Sequence, residues 1–258
     1  MANWTLVTGA SRGLGRGFAH RAAEDGRKVI LSARNEAELH EVAAELRRKG
    51  VEAMVIPADL TRIEEVDRLW REATNGRQID VLVNNAGLGR NGKFAEGGWD
   101  REHASIQVNL EALTRLCKLA APHMKEARGG RILNVASLAG FMPGPGMAVY
   151  HATKAYVISL SDALAQELKG TGVSVTALCP GVTESNFLTD ADMDSLYLVR
   201  FGITQKTRTV VNAGWRAAMR GRRVVVTGPQ NKLLALMTRV TPRQIVGPIA
   251  QFLLARRK

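Results

Sequence analysis

The chain has 258 residues, 45% of them hydrophobic, and a formal net charge of +12. Residues 1–258 are long enough for one large α/β domain, and no linker or repeat marks a second. Met1-Ala2-Asn3-Trp4 runs directly into a strand-like stretch with no leader pattern, and Cys117 and Cys179 read as buried thiols, so the expected location is a reducing cytoplasm.

Asn3 to Thr8 reads as a short buried strand. It leads into Gly9-Ala10-Ser11-Arg12-Gly13-Leu14-Gly15 and a helix-like stretch through Gly26. A strand, a glycine-rich turn and a helix N-terminus make an anion site: glycines admit a pyrophosphate close to the backbone, and free N–H groups and the helix dipole hold it. The next strand, Lys28 to Ala33, ends where a dinucleotide fold places a carboxylate for the ribose of NAD, about twenty positions past the glycines. That window holds Ser32, Ala33 and Arg34 instead, with no acid before Glu36. Arg12 and Arg34 would suit a 2′-phosphate, so NADP(H) is expected in preference to NAD(H).

Asn35 opens a helix with Leu39, Val42, Ala43 and Leu46 at helical spacing, closed by Gly50. A strand follows at Ala53–Ile56, and Thr61 and Glu64 form a capping-box pattern before Val66, Leu69, Trp70 and Ala73. Val81–Val83, Arg131–Ala136, Val173–Leu178 and Arg223–Val226 are apolar runs, as strands covered on both faces should be. The repeated βαβ alternation predicts a doubly wound, Rossmann-type parallel sheet of about seven strands, helices on both faces, with ligands at the strands' carboxyl ends. Ile132 to Thr153 carries no Asp, Glu, Lys or Arg, but glycines, prolines, Asn134 and Ser137 interrupt it, which argues against a spanning helix.

Within that stretch stands Tyr150-His151-Ala152-Thr153-Lys154, with Ser137 upstream. On a helix, residues four apart share a face, so phenol and ammonium enter the same space. A free tyrosine has a pKa near ~10, and an adjacent lysine charge is expected to lower it and make Tyr150 an acid/base group. His151 falls on another side of the helix and reads as structural or substrate-lining.

With these residues in hand, the chain resembles the short-chain dehydrogenase/reductase family, in the single-domain branch that includes bacterial carbonyl and 3-oxoacyl reductases. Thr8-Gly9-x-x-x-Gly13-x-Gly15 matches the cofactor turn, with Ser11, Arg12 and Leu14 inside it. Asp59 matches the acid beside adenine, and Asn84-Asn85-Ala86-Gly87 matches the motif closing the fourth strand. Asn109, Ser137, Tyr150 and Lys154 match the four catalytic positions. Pro180-Gly181 matches the turn after the sixth strand, and Ser185 stands where the family usually has threonine near the nicotinamide.

The resemblance implies hydride transfer between NADP(H) and a ketone or aldehyde/alcohol pair. Tyr150 would donate the proton, and Ser137 would hydrogen-bond the carbonyl oxygen. Lys154 would lower the tyrosine pKa and bind the nicotinamide ribose, while Asn109 would hold a water linking Lys154 to solvent. It also implies a homodimer or homotetramer paired through about 100–126 and 147–169, with about 184–258 closing over the substrate.

Residues 1–194 balance 23 Lys/Arg against 24 Asp/Glu, whereas residues 195–258 hold 13 Lys/Arg and no acid. Beside these charges lie the apolar positions Leu233, Leu234, Leu236, Met237 and Val240, then Ile245, Ile249, Phe252 and Leu253. Three readings stand open: an anionic or carrier-bound substrate, an anionic membrane surface, or apolar faces packed on the core or a sister subunit with the cations solvated. Nucleic acid is not expected as a partner, since the segment has few aromatics and no recognition motif. The histidines at 20, 40, 103, 123 and 151 show no metal-ligand spacing, so no metal is expected. The competing function is a catalytically silent dinucleotide sensor or membrane-surface scaffold of the same fold, whose mark would be loss of Tyr150 or Lys154.

Overall fold

The computed structural model describes residues 4–184, 191 and 204–254. Among them the strands are β1 Trp4–Thr8, β2 Lys28–Ser32, β3 Ala53–Val55, β4 Ile79–Asn84, β5 Gly130–Val135, β6 Val173–Cys179 and β7 Val224–Val226. They form a parallel sheet in the order β3-β2-β1-β4-β5-β6-β7. The order reverses between β1 and β4, which opens a crevice at the carboxyl ends of those strands. Alternate side chains serve opposite faces: Leu6 and Ile30 join one buried cluster, while Val7, Val29 and Leu31 join the other. Burial on both faces explains why these strands read as unbroken apolar runs.

On one face pack α1 Gly13–Glu24, α2 Glu36–Arg48 and a later helix, α7 Thr207–Met219, through Phe18, Leu39, Leu46 and Trp215. The other face is covered by α3 Ile63–Thr74, α5 Leu113–Glu126 and α6 Ala148–Glu167, through Leu69, Trp70, Leu116, Met124 and Val157. The short α4 Trp99–Ile106 runs through a π-helical turn, Gln107–Ala112, into α5, and α8 Pro229–Val240 and α9 Arg243–Leu253 follow β7. The doubly wound architecture matches the expectation. Boundaries differ modestly: β4 extends past Val81–Val83 at both ends, and β5 lies one residue earlier than Arg131–Ala136.

Two helix starts show local chemistry directly. Asn35 caps α2 by accepting from Glu38 N at 3.2 Å. The capping box expected from Thr61 and Glu64 is not formed. Thr61 gives its N–H and hydroxyl to Asp59, at 3.1 and 2.9 Å, and α3 begins after Arg62 without a side-chain cap. A nearby carboxylate satisfies Thr61 sooner than a helix terminus two residues away.

The helix that matters most for the site is α6. Tyr150, Lys154, Val157 and Ser161 recur at intervals of four and three, so the two titratable groups continue the stripe that buries the helix on the sheet. A polar ladder locks that stripe across β4 and β5. Asn84 Nδ2 donates to Asn134 Oδ1 (2.9 Å), Asn134 Nδ2 donates to Ser161 Oγ (2.9 Å), and Ser161 Oγ donates to the Val157 carbonyl (2.6 Å). Asn134 has no solvent exposure. Asn134→Leu would leave buried donors and acceptors unmatched, a cost of about 1–3 kcal/mol. The expected outcome is a lower urea midpoint with an unchanged slope; an unaltered midpoint would show that the ladder contributes nothing to holding α6.

Candidate active site

Where the sheet order reverses lies a cavity of about 1020 Å³. Its lining joins β1, β4, β5 and β6 loops to α6, α8 and α9. The glycine turn enters at the end of β1, with Gly9 and Gly13 at φ of 62° and 57°, values that favour glycine. An added Cβ on Gly9 would stand 2.8 Å from Asn85 Nδ2 and 2.9 Å from Ala86 Cα, and one on Gly15 only 2.0 Å from the Gly9 carbonyl oxygen. The turn therefore lies directly on the loop after β4. Hydrogen bonds fix this contact: Thr8 Oγ1 accepts from Asn85 N and Ala86 N, at 3.0 and 3.1 Å, and Asn85 Nδ2 donates to the Thr8 and Gly9 carbonyls.

The N-terminus of α1 has neither a side-chain cap nor an acid in its first turn. Its spare N–H groups belong to residues lining the cavity, Gly13 and Leu14 among them. An uncapped helix start under a glycine turn is a pyrophosphate cradle, and the residues present fit a dinucleotide.

Most of the expected site residues meet in this cavity. Gly9, Ser11, Arg12, Gly13, Leu14, Arg34, Asp59, Asn85, Ala86, Gly87, Ser137, Tyr150, Lys154, Pro180 and Gly181 all line it. Gly15 and Asn109 do not. Gly15 is buried against the turn, where its missing side chain permits close packing. Ser185 lies outside the described residues. Arg34 is exposed at the end of β2, whereas Ser137 and Tyr150 belong to the β5–α6 region. Three strand intervals separate β2 from β5, about 14 Å, so the lining spans an elongated site.

Lys154 is only 4% exposed, and its ammonium donates to the Val135 carbonyl at 2.8 Å. It stands 5.8 Å from the centroid of the Tyr150 ring. Burial pushes the Lys154 pKa down to about 8, against the opposing effect of the nearby Cys179. For Tyr150, burial is the larger effect and pushes the phenol up to about 12, while the hydrogen bond with Ser137 acts the other way. The direction is opposite to that expected from the lysine's proximity, because burial takes the phenolate out of water. At neutral pH the phenol keeps its proton.

Ser137 Oγ accepts from Ala139 N at 3.1 Å, which orients the hydroxyl at the end of β5. Asn109 sits in the π-helical turn, a distortion frequent at functional sites. Its Oδ1 accepts from Leu88 N (2.9 Å), and its Nδ2 donates to the Leu88 carbonyl (2.8 Å) and Thr153 Oγ1 (3.0 Å). Both amide N–H groups are thus committed to joining the β4 loop to α6.

His151 lines the cavity, with Nδ1 2.9 Å from the Met142 carbonyl, so that nitrogen carries the ring proton. Burial lowers its pKa, keeping it neutral. Further lining residues had no sequence signal of their own: Glu38 and Asn231 have ordinary helical contexts, Val108 lies in the π-helical turn, and Leu88 is positioned by Asn109. Cys117 and Cys179 are free and buried. No group of three or more His, Cys, Asp or Glu able to hold a metal occurs among the described residues.

The sequence pattern of the short chain dehydrogenase family matches residues 3–195. The chain belongs to the short-chain dehydrogenase family. A curated relative, the 3-oxoacyl acyl-carrier-protein reductase FabG of Staphylococcus aureus, is 38% identical over 201 residues, which cover 76% of this chain and 80% of the relative. Among solved structures, a short-chain dehydrogenase from Sphingobium yanoikuyae in complex with NADPH superposes with a TM-score of 0.83 at 31% identity, covering 100% of this chain and 99% of that one. The 3-ketoacyl acyl-carrier-protein reductase of Brucella melitensis complexed with NADH superposes with a TM-score of 0.76 at 30% identity, covering 87% and 96%. This short-chain dehydrogenase is an oxidoreductase that binds a dinucleotide and interconverts a carbonyl and an alcohol.

Proposed function

We propose that the chain is an NADP(H)-preferring carbonyl reductase in which Tyr150, Ser137 and Lys154 act directly and Asn109 positions the loop beside them. The convergence of a protonated buried phenol, its Ser137 partner and a buried ammonium on one cavity with a pyrophosphate cradle carries this function. Gly9, Ser11, Gly13, Leu14, Asn85, Ala86, Gly87, Pro180 and Gly181 would hold the dinucleotide, with Asp59 beside the adenine. When bound, the reduced nicotinamide supplies the hydride to the carbonyl carbon.

Tyr150 Oη gives its proton to the carbonyl oxygen. Its high pKa keeps that proton available at neutral pH and favours the reductive direction. Ser137 Oγ accepts from Ala139 N, which holds the hydroxyl beside Tyr150 where it would donate to the developing oxyanion. Lys154 supplies positive charge beneath the phenol while it remains protonated, and binds the ribose hydroxyls. Apolar lining by Leu88, Val108, Met142, Leu234 and Leu254 supports a hydrophobic carbonyl substrate, as does the 3-oxoacyl reductase activity carried in the names of FabG relatives. An NADPH-oxidation screen over ketones, aldehydes, 3-oxoacyl thioesters and quinones tests the function. Tight NADPH binding with no oxidation across that range would favour the silent sensor instead.

Preference for NADP(H) rests on Arg12 and Arg34 lining the cavity where β2 ends without a carboxylate. NADPH is expected to bind at least about tenfold more tightly than NADH, equivalent to about 1.4 kcal/mol. Arg34→Asp should erase most of that difference by replacing a phosphate partner with a repelling charge. Equal dissociation constants for the two cofactors in the unaltered protein would contradict the preference.

The lowered Lys154 pKa also predicts a pH profile. Lys154 is charged below about 8 and neutral above it, whereas the unfolded chain would keep it charged to its ordinary value of 10.5. For carbonyl reduction by the free enzyme, kcat/KM should be flat through neutrality and fall about tenfold per unit above this pKa. The same depressed pKa makes folding more favourable as pH rises from about 8 to 10.5, since the unfolded state binds more protons there. Activity lost over a range where stability rises therefore reports the lysine's charge and not unfolding. A rate constant unchanged to pH about 10 would remove Lys154's charge from the mechanism.

A further inference from the structure

The two helices after β7 have different faces. On α8, Leu233, Leu236, Met237 and Val240 follow an i, i+3, i+4, i+7 pattern, and on α9, Ile245, Ile249 and Phe252 follow i, i+4, i+7. Each of these seven is between 49 and 71% exposed. The opposite faces turn inward: Ala235, Val246, Ala250 and Leu254 are buried, and Leu234, Ala250 and Leu254 line the cavity. The outward stripes are therefore surplus to the core, two exposed apolar faces on consecutive helices.

Charge decides what such a surface can meet. Residues 229–258 contain six Lys/Arg and no Asp or Glu. Lys232 and Arg239 are exposed on α8, about 100° round the helix from the centre of its apolar stripe. A second copy docking these faces on each other would gather like charges at one interface, with no acid in the segment to pair with them. Nucleic acid would match the charge but not a stripe of seven aliphatic and aromatic side chains with Phe252 as its single ring. No helix among the described residues is long and apolar enough to cross a membrane.

We propose that α8 and α9 form a peripheral docking surface for an anionic lipid bilayer. The helices lie in the plane of the interface, Leu233, Leu236, Met237, Val240, Ile245, Ile249 and Phe252 enter the boundary between headgroups and acyl chains, and Lys232 and Arg239 meet the lipid phosphates. The helices that wall the cavity then also contact lipid.

Flotation of the full-length protein with phosphatidylcholine vesicles, with and without phosphatidylglycerol, tests this surface, with oligomer mass measured in parallel by light scattering. The protein should float with the phosphatidylglycerol vesicles at low salt, remain free with phosphatidylcholine alone, and be released as salt shortens the screening length. Leu236→Gln with Ile249→Gln should weaken vesicle association by about tenfold or more, leaving the oligomer mass and the reduction of a water-soluble ketone unchanged. Leu233→Gln with Ile245→Gln should do the same, as a second and independently folding pair. Failure to float with anionic vesicles, flotation indifferent to both pairs, or a lighter oligomer in either variant would overturn the proposal. The last result would make the stripe a subunit interface.

Discussion

An ammonium group almost without solvent contact is the constraint around which this cavity is built. Lys154, 4% exposed, is tolerated because the Val135 carbonyl accepts from it and because α6 fixes its stem along the sheet. Burying a charge is costly unless it is hydrogen-bonded, and here burial shifts the lysine's pKa down to about 8 while the same surroundings shift Tyr150 up to about 12. The two side chains share one helix stripe, so the packing that buries the helix also determines their protonation. Neutral-pH chemistry then has a phenol with its proton and a lysine with its charge, side by side.

Around that pair, the remainder of the sheet acts as a frame. The Asn84–Asn134–Ser161 ladder ties β4 and β5 to α6, and the Asn109 amide ties the β4 loop to the next residue layer through Leu88 and Thr153. On the cofactor side, Thr8 and Asn85 hold the glycine turn against the β4 loop, with Gly15 packed too closely on Gly9 for any side chain. The Asn84–Asn134 link joins two strands, the Asn134–Ser161 link joins β5 to α6, and the others tie loops to α6 or to the glycine turn. The reversal of strand order between β1 and β4 is what makes room for a ligand among them.

Much of this was legible in the sequence because its signals are local or periodic. The glycine turn needs positive φ at Gly9 and Gly13, a demand that one residue type meets, and strands buried on both faces read as apolar runs. Tyr150 and Lys154 could be paired from helical spacing read together with Ser137 and the N-terminal glycine turn. What could not be read depends on three-dimensional surroundings. The direction of the Tyr150 pKa shift depends on burial, which adjacency to lysine does not disclose. Thr61 and Glu64 have the spacing of a capping box, yet Asp59 captures Thr61 first. The apolar positions of α8 and α9 were visible as a list; only packing separates Leu234, which faces the cavity, from Leu233 and Leu236, which face outward.

The claim on which the catalytic account stands is that Tyr150 is the proton donor to the carbonyl. It is tested most directly by Tyr150→Phe, which deletes one hydroxyl and keeps the ring, with turnover and NADPH affinity measured on the same preparation. The account predicts a loss of about 100-fold or more in kcat for carbonyl reduction, with the NADPH dissociation constant essentially unchanged. Near-normal turnover in the variant would contradict it and require a different proton source.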